Sequence, residues 1–252
     1  MDALHLSTGL REFIAASSRP LIVLLGATAS GKTAFSLQVA QDLKNAEIIN
    51  ADSRQLYKYL NIGTAKITPK EMQGIPHHLL DVLDPQAEAT AAWYKREAEN
   101  IIGEIHRRGN IPILVGGSML YISAVTDDLT FPVDPRDRQS LQQRKSLTHH
   151  DDLFIIGIER ARKELMQRIN ERTTELFSKG WVDEVRNLIK NGYTVENPAM
   201  KSHGYREIME WLKSGTPSLE ELEDIISSKT RHYAKRQLTW WKNDSRIQWM
   251  TP

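Results

Sequence analysis

Cysteine is absent from this 252-residue chain, which excludes disulfides, thiolate catalysis and cysteine-based zinc sites and suits a reducing cytoplasm. An excess of one charge is missing too. With 33 Lys and Arg against 32 Asp and Glu the formal charge is +1, so any nucleic-acid surface must be local. No apolar run is long enough to span a membrane. Residues 1–19 interrupt their short apolar stretches with Asp2, Arg11 and Glu12 and lack the apolar centre of a secretion signal. They are expected to form a short helix or loose arm. Repeats and low-complexity tracts are also lacking, and the length suits one main core, so residues 20–252 are expected to form one domain of a cytoplasmic monomer.

What is present begins at residue 26. Gly26-Ala27-Thr28-Ala29-Ser30-Gly31-Lys32-Thr33 fits the pattern G-x-x-x-x-G-K-[ST]. The strand-like run Leu21-Ile22-Val23-Leu24-Leu25 enters it, and a helix pattern with Phe35, Val39 and Leu43 four apart leaves it. In that context the loop is a phosphate site. Its glycines let backbone N–H groups turn inward around phosphate oxygens, Lys32 adds a point charge, and the Thr33 hydroxyl can ligate magnesium. The following helix aims its positive end at the same anion. Which phosphate is held is not specified by the loop.

Ala46-Glu47-Ile48-Ile49-Asn50 predicts a second strand that runs out at Ala51-Asp52-Ser53. Asp52 therefore stands at a carboxyl strand end, where doubly wound sheets bind ligands. Thr90 to Arg108 has helical spacing (Trp93, Ala98, Ile101, Ile102, Ile105) and is closed by Arg107-Arg108-Gly109. Ile111 to Val115 is a third buried strand, opening into Gly116-Gly117-Ser118. These lengths imply right-handed crossovers and an α/β fold, a P-loop NTPase-like parallel sheet flanked by helices. Residues 127–152 are polar, contain two prolines and are expected to be a linker or exposed insertion. Leu153 to Ile158 resumes as a strand. Ala161 to Gly180 is a helix with Leu165, Ile169 and Leu176 on one face and Arg168 and Arg172 on a neighbouring one. Val182 to Lys190 is a shorter helix, and Ser218 with Glu221 makes a capping box for a helix reaching Trp241.

Nucleotide-hydrolysing proteins with this loop normally place an acid at the end of a second hydrophobic strand. Here Ile111 to Val115 ends in Gly-Gly-Ser, which weakens the NTPase reading. Asp52 could supply the acid from another strand, and that keeps a small-molecule kinase open. A carboxylate there can bind magnesium, accept a proton from a nucleophile, or merely cap a helix near Ser53. Towards the C-terminus, Lys229, Arg231, Lys235, Arg236, Lys242 and Arg246 face one acid, Asp244, with His232, Tyr233, Trp240 and Trp241 interleaved. Such a segment offers cations for backbone phosphates and flat surfaces for unstacked bases. The competing reading is a helix whose late basic residues complement the macrodipole, begun by Glu220, Glu221 and Glu223, with its tryptophans in the core.

Further segments carry a resemblance. They are Ala51-Asp52-Ser53-Arg54-Gln55-Leu56-Tyr57, Ile62-Gly63-Thr64-Ala65-Lys66, Pro76-His77-His78-Leu79-Leu80-Asp81 and the run Pro112 to Tyr121 containing Gly116-Gly117-Ser118. Arg168-Ile169-Asn170-Glu171-Arg172, Gly204-Tyr205-Arg206-Glu207 and Ala234-Lys235-Arg236-Gln237-Leu238-Thr239-Trp240 follow. With the phosphate loop, over about residues 20–126 and 153–250, the chain resembles the tRNA dimethylallyltransferases, also called tRNA isopentenyltransferases.

The resemblance implies transfer of a prenyl group from dimethylallyl diphosphate to N6 of an adenosine beside the anticodon, with C-terminal helices forming an RNA-binding wall. By similarity the loop holds diphosphate with Mg2+ on Thr33, Asp52 is the base, and Lys32 and Arg172 are cations on the leaving group. The tRNA contacts implied are Asp52, Ser53, Arg54, Gln55, Ser118 (most relatives have threonine), Lys201, His203, Gly204, Tyr205, Arg206, Lys235, Arg236 and Gln237. His77 and His78 are adjacent, unlike the usual i, i+4 metal pair, and are expected to be structural or hydrogen-bonding residues. Relatives usually carry a helical insertion where this chain has only residues 127–152. That leaves three further readings: an adenylate dimethylallyltransferase, the kinase, and an inactive RNA-binding paralogue. The basic C-terminal segment favours tRNA over a free nucleotide.

Overall fold

Leu21–Gly26, the apolar run that enters the phosphate loop, is the central strand β1 and is buried along its whole length. The structure, a computed structural model, describes residues 8–131 and 152–251. Most of the polar stretch 127–152 and residues 1–7 of the expected arm lie outside the described residues.

The other strands are β2 (Ala46–Ala51), β3 (His77–His78), β4 (Ile111–Gly116), β5 (Leu153–Ile158) and β6 (Ile247–Met250). Among the described residues they form one wholly parallel sheet in the order β3-β2-β4-β1-β5-β6. Strands buried on both faces read as continuous apolar runs, which is why β1, β4 and β5 are visible without periodicity. Alternate residues serve opposite layers. Val23, Ile49, Leu114 and Ile155 point to one layer, where α3 (Ala91–Arg107) and α4 (Met119–Thr126) pack with Trp241 from α8 (Leu219–Trp241). Ile22, Leu24, Ile48, Ile113 and Ile156 point to the other, towards Phe35 and Val39 of α2 (Lys32–Leu43). The N-terminal segment is anchored as helix α1 (Thr8–Ala16), with Leu10 buried and the Phe13 ring 5.3 Å from that of Phe154.

A third cluster lies beyond the sheet. Here α5 (Arg162–Ser178), α6 (Trp181–Lys190) and α7 (Tyr205–Ser214) pack with α8 through Trp181, Tyr205, Ile208 and Ile226. The expected capping box opens α8: Ser218 Oγ accepts from the Glu221 N–H at 3.3 Å, and the Ser218 N–H donates to Glu221 Oε2 at 2.8 Å. Substituting such a cap costs about 1 kcal/mol.

The histidine pair is accounted for at the edge of the sheet. His78 meets Glu47 at 2.7 Å, and His77 Nδ1 lies 2.8 Å from the Ile75 carbonyl. Glu47 also accepts two hydrogen bonds from Arg108, at 3.0 and 2.8 Å, and one from Asn110 at 2.7 Å. The Arg108 guanidinium, helped by Asn110 and His78, holds the Glu47 carboxyl down at about 2 against the desolvation of its site. A carboxyl depressed on folding stabilises above its unfolded value and loses that contribution as pH falls through the folded one. Glu47→Gln is therefore expected to lower stability at neutral pH by about 1 kcal/mol, less than the full shift implies because the Arg108 guanidinium that causes most of it is half exposed and screened by solvent. Denaturant titrations should find the difference between variant and parent shrinking as pH falls from about 4.5 towards 2.

Candidate active site

An anion-binding loop must turn its N–H groups inward, which leaves carbonyls on its outer side in need of donors. Three cations supply them. Lys32 Nζ donates to the Ala27 carbonyl at 2.6 Å, Arg168 Nε to that of Ala29 at 2.9 Å, and Arg160 Nε to that of Ser30 at 2.8 Å. Ala29 sits at φ 61°, in the left-handed region, and Gly31 at φ 102° is the N-cap from which α2 starts. For alanine that conformation costs roughly 1–2 kcal/mol, so the Arg168 contact holds a strained residue. The Lys32 and Thr33 amides begin α2 and have no intrahelical acceptor, as an anion site requires. The Thr28 amide is different: it donates to Gln237 Oε1 at 2.9 Å.

Two chambers open on this loop. The larger, about 520 Å3, is lined by Gly31, Lys32, Thr33, Gln55, Arg168 and Arg172 among others. The smaller, about 270 Å3, is lined by Ser53, Arg54, Lys201, His203, Tyr205 and Trp181 among others. Thr28, Asp52, Arg172 and Tyr233 line both, so Asp52 stands where the chambers meet.

Its carboxylate is fixed by the end of β2. Asp52 Oδ1 accepts from the Arg54 N–H at 2.8 Å, while Asn50 Oδ1 accepts from the Asp52 N–H at 3.0 Å. Ser118 Oγ accepts from the neighbouring Ser53 N–H at 2.8 Å, tying the end of β2 to the end of β4. Burial lowers the Lys32 ammonium to about 8, opposed by Asp52 and reinforced by Arg172. Burial likewise lowers Arg172, with Asp52 acting against the shift. The phenol of Tyr233 is pushed up to about 12 by burial and stays a proton donor.

The residues expected on tRNA separate into groups. Ser53, Arg54, Lys201 and His203 line the smaller chamber, and Gln55 the larger. Lys235 and Arg236 are exposed on α8 with Trp240, which is 52% exposed, and neither cation has a carboxylate partner among the described residues. Arg236 stacks over the Tyr233 ring at 5.6 Å. Other basic residues of this segment are engaged within the protein, Lys229 by Glu207 and Arg246 by Asp127 and Asp244. Trp241 belongs to the core as the competing reading expects, but Trp240 does not, and the last turn of α8 carries no basic residue to complement the macrodipole.

Four of the expected contacts are placed differently. Arg206 is exposed but paired with Glu210 at 2.8 Å. Tyr205 is 1% exposed beneath the wall and donates to Glu184, and a Cβ at Gly204 would lie 2.0 Å from the Trp181 ring. Gln237 is 1% exposed with both ends of its amide engaged by backbone, because the inner face of α8 abuts the loops. Sequence reasoning missed Arg160 and Glu184, and it named Tyr233 only as one of the flat side chains of the basic segment, not as a residue beside Asp52. Arg160 carried one signal, its place just past the end of β5.

The family model for IPP transferase matches residues 55–153 and 138–244. A tRNA dimethylallyltransferase of Carboxydothermus hydrogenoformans is 37% identical, with 92% of each chain covered. That alignment runs over 288 positions although this chain has 252 residues, so the relative holds several dozen residues without a counterpart here. The full-length tRNA isopentenylpyrophosphate transferase of Bacillus halodurans superposes with TM-score 0.81 at 31% identity, over 92% of this chain and 90% of that one. A eukaryotic dimethylallyltransferase acting on tRNA gives TM-score 0.77 at 26% identity, over 92% and 74%.

The Lys32 value near 8 predicts a pH dependence. An anion binds the ammonium form, which is present below that value and lost above it, so inorganic pyrophosphate should bind more weakly as pH rises. Calorimetry should register roughly a tenfold loss between about pH 7 and 9, relative to a Lys32→Arg variant whose guanidinium does not titrate there.

Proposed function

The chain belongs to the tRNA dimethylallyltransferase family, and from that premise we propose that it transfers a dimethylallyl group from dimethylallyl diphosphate to N6 of the adenosine next to the anticodon in tRNA, forming i6A37. The observation that carries the mechanism is the place of Asp52, on the boundary between a chamber walled by Lys32 and Arg172 and one walled by Arg54, Lys201 and His203. The diphosphate occupies the first and the adenine, drawn out of the anticodon stack, enters through the second.

In the reaction the allylic carbon–oxygen bond breaks, with its electron pair leaving on the diphosphate, and a bond forms between that carbon and N6. Lys32, Arg172 and the amides at the start of α2 stabilise the charge that grows on the leaving group. Asp52 takes the N6 proton. Adenine N6 is a poor nucleophile because its lone pair is delocalised, so a carboxylate held by the Arg54 amide contributes mainly through position. The Tyr233 phenol and the Ser118 hydroxyl, beside Asp52, help to orient the base. No nucleoside triphosphate is consumed.

The donor set fits magnesium. Thr33 offers one hydroxyl to the larger chamber, and no cage of three acidic or histidine side chains exists among the described residues. Magnesium bound largely through substrate phosphates and water needs no such cage. Bound there, it would neutralise charge on the diphosphate.

The exposed face of α8, with Lys235, Arg236 and Trp240, supports the RNA wall. Free AMP has too few phosphates to use it.

Labelled dimethylallyl diphosphate, offered with tRNA or with AMP, is expected to label tRNA at the adenosine beside the anticodon. Label on AMP alone would make the chain an adenylate prenyltransferase, and no label with tRNA still bound would leave an RNA-binding paralogue. In the same assay Asp52→Asn should lower kcat by about 100-fold or more while pyrophosphate affinity holds. An undiminished rate would remove Asp52 as the base. Replacing Lys235 and Arg236 by Ala should weaken tRNA binding and reduce the slope of log affinity against log salt by about 2. An unchanged slope would take this face of α8 out of the RNA interface.

A further inference from the structure

Gln237 joins the two loops that meet above β1 and β4. Its Oε1 accepts from the Thr28 N–H at 2.9 Å, and its Nε2 donates to the Gly117 carbonyl at 2.7 Å. Thr28 belongs to the phosphate loop. Gly117 lies beside Ser118, whose hydroxyl holds the Ser53 amide next to Asp52. One amide thus spans the crevice where the strand order reverses, the place at which open parallel sheets bind ligands.

The fit is close on both sides. A Cβ on Gly117 would come within 2.3 Å of Gln237 Nε2 and 3.3 Å of the Gly26 carbonyl. The bridge needs one acceptor and one donor at the same reach, which glutamine supplies in one group. Glutamate would set a carboxylate against a carbonyl and beside a bound anion, and methionine would keep the length with neither bond. For Gln237 to touch RNA, it would have to leave both partners and its buried site.

We propose that Gln237 is a positioning residue for the diphosphate, not an RNA contact. By occupying the Thr28 amide it fixes the direction of the amides that follow. By holding Gly117 it fixes the distance between that cradle and the strand end carrying Asp52. The proposal rests on the reading of the loop as a diphosphate site, and it leaves the RNA to the outward-facing neighbours Lys235 and Arg236.

The test uses the full chain and inorganic pyrophosphate as probe. Gln237→Met, Gly117→Ala, the double variant and Gln237→Glu are compared by calorimetry for pyrophosphate, by filter retention for tRNA and by thermal unfolding. Each single change at the bridge should weaken pyrophosphate about tenfold and leave tRNA affinity within about twofold. The double variant should be no weaker than the worse single one, because both break the same link. Gln237→Glu should be the weakest. The proposal is overturned if Gln237→Met binds pyrophosphate normally, if it loses tRNA instead, if the two changes add, or if affinity merely follows the fall in Tm. Failure of the parent chain itself to bind pyrophosphate would overturn the diphosphate reading, and with it this proposal, an outcome distinct from failure of the bridge alone.

Discussion

The grip of three cations on the outward carbonyls of the phosphate loop is the interaction on which the rest of the site depends. Lys32, Arg168 and Arg160 take the carbonyls of Ala27, Ala29 and Ser30, and without them the loop would hold a left-handed alanine unsupported. The demand propagates outward. Arg160 lies just past β5 and Arg168 on α5, so both the sheet order and the packing of α5 against α8 are needed to bring them to the loop. A motif of eight residues is thereby a product of the whole fold.

Function and stability pull apart at this point. Glu47 is a buried carboxylate with every partner it needs, and its depressed proton affinity marks a net contribution to folding. Lys32 is the reverse, a cation whose burial outweighs the attraction of Asp52. A loop that disfavours its own charge is a cost to the fold. Under the proposed function a diphosphate would offset it on binding, converting the unfavourable contribution into affinity.

Much of the fold was legible because the central strands are buried on both faces and read as unbroken apolar runs. β5 lies at residues 153–158 as expected, β2 extends the expected 46–50 by one residue, and the capping box marked the start of α8. The two-residue β3 and the late strand β6 escaped because neither is long enough to carry a pattern. The phosphate loop and the strand-end Asp52 were also readable, from local motifs. Gln237 was not. Its partners are backbone atoms 209 and 120 residues away, and no side-chain pattern records a bond made to a backbone. The resemblance grouped it with Lys235 and Arg236 as a tRNA contact, whereas helical phase puts Lys235 and Arg236 outside and Gln237 within.

The stretch 127–152, where the resemblance implies that relatives carry a helical insertion, is flanked by described residues at the end of the sheet opposite the crevice. β4 runs up to Gly116, α4 returns from it, and Arg246, just before β6, holds the Thr126 carbonyl and Asp127. Leu153 starts β5 in register with Leu21, the first residue of β1. Both described flanks of this stretch are therefore moored at the foot of the sheet, and the phosphate loop and Asp52 stand at its head. Segments can be gained or lost at such a mooring without disturbing the reacting atoms, which makes it a permissive graft point where substrate reach can evolve separately from chemistry.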